Sequence, residues 1–109
     1  MRKHRTENEL REIAEKIAET IVIRSYDERG NSRDDRRPTD GQERITLRDI
    51  AFGALLTLNY GETFRRERIA EDAIIETAEF TVDLLIPGVN GYDSIYIPLR
   101  EAVKAWPEA

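Results

Sequence analysis

A chain of 109 residues has room for one small domain and one core. Apolar residues make up 39% and charged residues 36%, with a net charge of −5, which argues against general nucleic-acid binding, where clustered positive charge is needed. No cysteine is present, so disulfides, thiolate catalysis and thiolate zinc sites are excluded.

The N-terminal "MRKHRTENEL" is basic but leads into no apolar run, so it does not read as a secretory leader. No stretch reaches a bilayer-spanning length. A soluble cytoplasmic protein is expected.

The first element lies in "TENELREIAEKIAETIVIR". Thr6 and Glu9 have the spacing of a capping box, in which each side chain satisfies a backbone N–H at a helix start. Leu10, Ile13, Ala14, Ile17, Ala18 and Ile21 follow at helical spacing, and Glu12–Lys16 is an i,i+4 pair in the favourable order. The spacing predicts a helix over about 7–24. Its last turn, "TIVI", is β-branched and equally suits a strand.

From Arg24 to Arg44 the chain reads "RSYDERGNSRDDRRPTDGQER". Six arginines and six acids sum to zero, and no Leu, Ile, Val, Phe, Met or Ala occurs. A long polar loop over about 25–44 is expected, and its composition fits a solvated mobile segment. The alternative is an ordered partner-binding loop using Tyr26, Arg29, Arg33, Arg36 and Arg37. In a variant of that reading, "TIVIRSY" pairs with "RITLR" as a short β-hairpin arm, with the charged stretch at its tip.

"ITLRDIAFGALLTLNYG" gives the second helix, over about 47–59. Thr46 and Asp49 are candidate caps, and Leu47, Ile50, Ala51, Ala54, Leu55 and Leu58 form its stripe. Asn59 and Gly61 are good stops. Gly53 costs about 1 kcal/mol against alanine inside a helix, and a close helix–helix contact would account for it.

"TFRRERIAEDAIIETAEFTVDLLIPG" gives a third, over about 64–86, with Thr63 as a candidate cap and Pro87-Gly88 as its stop. It carries two apolar stripes. One is Ile75, Ala78, Val82 and Leu85; the other is Ala70, Ala73, Ile74, Thr77 and Leu84, with Phe80 beside it. A helix apolar on most sides must be covered on most sides, and a second copy of the chain is one cover. The expected oligomer interface is Ile75, Ala78, Val82 and Leu85. In the tail, "SIYI" suits a short strand, and Pro98, Leu99, Ala102, Val103 and Trp106 suit a fourth helix over about 98–106. The expected fold is therefore all-α, a small bundle of about four helices in one domain.

Site chemistry is sparse. Asp72, Glu76, Glu79 and Asp83 form an acidic line, but the lone histidine is His4 and no Glu-x-x-His occurs. A solvated helix face explains that line better than a metal site, and no metal or cofactor is expected. "NYGETFRRERIAE" places Tyr60, Arg65, Arg66 and Arg68 around a helix start, where an anion or nucleotide would be welcome. A salt-bridge cluster is the plainer account, and "GETFRR" does not match a phosphate-cradling loop. A helix-turn-helix over 47–69 fits poorly, because both helices run long and acids flank the arginines.

These readings favour a non-enzymatic homo-oligomer that binds another protein in a regulatory or accessory role, fitting a small bacterial or phage protein. A small-ligand binder holding a nucleotide or other anion near an oligomer interface is the alternative. A DNA-associated protein using the basic N-terminal arm comes third, and no membrane role is expected.

Overall fold

The computed structural model describes residues 5–26, 29–30, 32–36, 41–60 and 68–106. Helix α1 spans Glu7–Glu19. Its start is the expected capping box. The Glu9 amide donates to the Thr6 hydroxyl at 3.2 Å, and the Thr6 amide donates back to the Glu9 carboxylate at 3.3 Å. The expected Glu12–Lys16 pair does not form; Arg11 instead pairs with Glu7 at 2.8 Å.

The helix ends five residues earlier than its periodicity predicts. Thr20 closes it, its amide and its hydroxyl both donating to the Ile17 carbonyl. The β-branched run then enters strand β1, Val22–Tyr26.

β1 pairs antiparallel with β2, Ser32–Arg36, so that Val22 faces Arg36 and Tyr26 faces Ser32. Gly30, at φ 82°, takes the left-handed conformation in the turn. The pairing partner is not the one expected. "RITLR" lies inside helix α2, Gly41–Tyr60, which begins six residues before its predicted start. Residues 25–44 are therefore not one loop. The register sets Arg24 opposite Asp34, and "SRDDR" pairs although its composition has little β-propensity. Thr46 sits within α2 and donates to the Gln42 carbonyl at 2.9 Å instead of capping.

Helix α3 spans Arg68–Leu85. The candidate cap Thr63 lies outside the described residues. Pro87 and Gly88, the latter at φ 89°, turn the chain. The "SIYI" stretch is no strand. Tyr92–Tyr96 form a π-helical segment that runs into α4, Ile97–Lys104, with Pro98 in its first turn.

The core draws Leu10 and Ile17 from α1, Leu47 and Leu55 from α2, Ile75 and Val82 from α3, and Ile95 and Leu99 beyond. Among the described residues three polar side chains are buried, and two of them pin distant segments. Ser94 accepts from the Val22 amide at 2.7 Å and donates to the Val22 carbonyl at 3.3 Å, locking the base of β1 to the π segment. Asn59 accepts from the Arg5 amide at 2.8 Å and donates to the Arg5 carbonyl at 3.0 Å. Asn90 caps the following segment, accepting from the Asp93 amide at 3.2 Å. Four helices around one core are what the apolar spacing implies. Among the described residues, no helix is long and apolar enough to cross a membrane.

Candidate interaction surface

Helix α3 sorts its residues by angle. Ile75, Ala78 and Val82 point into the chain's own core, at 0 to 5% exposure. They were expected at an interface between copies, and that assignment is corrected. Their stripe is covered by the same chain, because α2 lies against α3. Leu85, placed with them by spacing, is instead 62% exposed.

The other stripe is the open one. Phe80 and Leu84 are 69% and 71% exposed, and Ala73 and Thr77 lie on the same outward face. Leaving one aromatic and two leucines in water forgoes burial worth roughly 1.5–3 kcal/mol each.

Beside this face, between α2 and α3, runs a groove of about 490 Å³ with mostly apolar walls. Gly53, Thr57, Ile74 and Thr81 line it, and Asp49 is its single charged wall. Gly53 was expected to mark a close helix–helix contact. It does not: a methyl added there would meet nothing within 4 Å. Its missing side chain deepens the groove instead.

Acids border the outward face on its far side. Glu76 and Asp83 are exposed and Glu79 is half-buried. Burial raises the Glu79 pKa above the ordinary carboxylate value, and the charges of Asp83 and Glu76 raise it further. Asp72, grouped with them by spacing, is spoken for: it forms an ion pair with Arg100. Arg100 also donates to the Tyr96 hydroxyl at 3.1 Å, and Tyr96 stacks on Tyr92 at 5.0 Å between centroids. Among the described residues, no group of histidine, cysteine or acidic side chains is arranged to hold a metal ion.

The remaining candidates are scattered. Arg65, Arg66 and Arg37 lie outside the described residues. Tyr60 ends α2 and Arg68 begins α3. Tyr26 and Arg33 stand on the paired strands beside the exposed turn that holds Arg29, whereas Arg36 sits opposite Val22 at the far end of the ladder. In the basic arm, His4 and its predecessors fall outside the description. Arg5 is engaged in the fold: its guanidinium sits 5.2 Å over the Trp106 ring and donates to Glu9 and to the Ala105 carbonyl. Spacing alone missed the Asn59 clasp. The signal was an amide at a position continuing the buried stripe of α2, where a polar group needs a partner.

No family model matches the chain, nor does any curated protein or solved structure. What the fold and this surface define is a small helical domain with an open apolar face on α3.

Proposed function

We propose that the protein is a non-enzymatic interaction module that binds another polypeptide through the outward face of α3 and the adjoining groove. The observation that carries this reading is the exposure of Phe80, Leu84 and Leu85 on a helix whose opposite side already fills the core. Contiguous exposed apolar surface on a small domain marks a place where something docks, and helix-in-groove recognition suits a trough between two helices. A regulatory or accessory role follows from binding without chemistry.

Self-association is the second reading. The small walls at Gly53, Ala73 and Thr77 adjoin the bulky Phe80 and Leu84, so one copy offers both a trough and the side chains to fill it. The nucleotide reading draws no support from the described geometry, since its arginines lie largely beyond it.

The test is selection of helix-forming peptides from a random display library on the immobilised protein. Enriched peptides are expected to lose on the order of tenfold or more in affinity for the Phe80→Ser/Leu84→Ser double variant, with its circular dichroism unchanged. An absence of enrichment, or binders indifferent to both substitutions, overturns the proposal.

A further inference from the structure

We infer that the partner held by this face is a basic amphipathic helix, its apolar side chains seated in the α2–α3 groove and its arginines or lysines meeting Glu76, Glu79 and Asp83. The inference rests on the proposed function and adds the chemistry of the occupant.

Charge along the chain is divided unevenly. From Ile69 to Leu99 there is no lysine, arginine or histidine, against six acids: Glu71, Asp72, Glu76, Glu79, Asp83 and Asp93. All 17 lysines and arginines, and the single histidine, lie elsewhere. Within the blank stretch Asp72 is neutralised by Arg100, and Asp93 accepts from the Asn90 side-chain amide at 2.8 Å. Glu76, Glu79 and Asp83 have no basic partner among the described residues.

The three lie one turn apart along a single edge of the exposed apolar face. Apolar anchors bordered by unmatched carboxylates are the complement of a helix with leucine-sized residues on one side and cations beside them. Asp49, on the α2 wall of the groove, adds nothing to this border, because Arg48 pairs with it at 3.3 Å. An aromatic ring adjoins the acidic edge as well. Gly91 packs against Asp83, and the next residue, Tyr92, is 51% exposed and stacked on Tyr96. Such a ring face suits a guanidinium.

A second copy is a poorer occupant. Docking α3 on α3 brings two uncompensated acidic rows together, and like charges across an interface oppose association.

The probes are three synthetic peptides of about 18 residues, with leucines at i, i+3, i+4 and i+7 and every other position arginine, glutamine or glutamate. Binding is followed by fluorescence anisotropy. The arginine peptide is expected to bind at least about tenfold tighter than the glutamine peptide, a difference of about 1.4 kcal/mol. Glu76→Gln/Asp83→Asn should shrink that ratio at least about threefold, and raised salt should shrink it too. The charge-matched control Glu12→Gln/Glu101→Gln should leave it unchanged, which separates a local border from attraction to net charge.

Equal binding of arginine and glutamine peptides, or equal effects of the two double variants, overturns the basic partner while leaving the apolar face as the docking site. A protein that is dimeric by light scattering and made monomeric by Leu84→Ser assigns the face to a second copy and also overturns it. If no peptide distinguishes wild type from Phe80→Ser/Leu84→Ser, the proposed function itself fails.

Discussion

The α1–α2 half and the α3–α4 half of this domain solve their charge problem in opposite ways. Across the first seam, Arg44 and Arg48 of α2 reach Glu15 of α1 at 3.3 and 3.2 Å, and Arg11 lies 4.5 Å over the Phe52 ring. Across this seam arginines meet acids, and an arginine covers the aromatic surface at the edge. In the second half Arg100 supplies a cation to Asp72 of α3, while Phe80, Leu84, Glu76 and Asp83 face outward with no such cover among the described residues. The difference teaches where the chain is complete by itself and where it is not. At its seam the first half turns charged groups to its own cohesion. The second leaves apolar area and negative charge side by side for something else to satisfy.

The sharpest way to break this comparison is within α3. Ile75→Ala deletes a side chain with no exposure, and a loss of 2–5 kcal/mol on the order seen for large-to-small core changes is expected. Leu84→Ala removes a similar volume from water-exposed surface and should stay within about 0.5 kcal/mol. Urea unfolding of the two variants measures both. Equal losses would mean that both sides of α3 are buried in solution, and the open-face description would fall.

That contrast was half legible in the sequence. The two stripes of α3 are visible in its spacing, and helical period fixes which residues travel together. Period cannot say which stripe the chain itself covers, because that depends on where α2 packs. Hence Ile75, Ala78 and Val82 were assigned outward when they belong inside. The capping box at Thr6 and the stop at Pro87-Gly88 were readable because both are local chemistry. The β1–β2 pairing was not, since "SRDDR" has little β-propensity and its strand is defined by backbone pairing to β1. Nor was the π segment, where "SIYI" looks like a strand until Ser94 is seen bonding to Val22, 72 residues away. The divided charge, by contrast, lay open in the composition of 69–99, and acquired meaning only once the free edge of α3 was known.

A second substitution tests how tightly the acidic edge is built. Gly91 is helical, so no unusual backbone angle demands glycine there. Space does: a methyl at Gly91 would sit 2.5 Å from a carboxylate oxygen of Asp83 and 3.0 Å from the backbone carbonyl of Glu79. Asp83 can swing away, but the helix backbone cannot. Gly91→Ala should therefore cost about 1–3 kcal/mol through overpacking, and Asp83→Ala in the same chain should recover only part of it. Full recovery would show that the side chain alone sets the limit, and that α3 and the π segment are less closely packed than described.

The smallest expected effect comes from Glu79, and it reads the acidic edge through pH. Partial burial first, then the charges of Asp83 and Glu76, hold its pKa above the ordinary carboxylate value of 4.5. The folded chain therefore binds this proton more tightly than the unfolded chain does. By linkage, the stability so gained is fully present below the unfolded pKa and is lost as pH rises through the folded one. At pH 7 the ionised carboxylate is a net burden on the fold. Glu79→Gln keeps the shape and helix propensity while removing that charge. Its thermal midpoint should exceed that of the wild type at pH 7, and the gap should narrow as pH falls and the wild-type carboxyl takes up its proton. A gap that stays the same size as pH falls would trace the effect to packing, and the crowding of Glu76, Glu79 and Asp83 would then carry no electrostatic cost for a cationic partner to relieve.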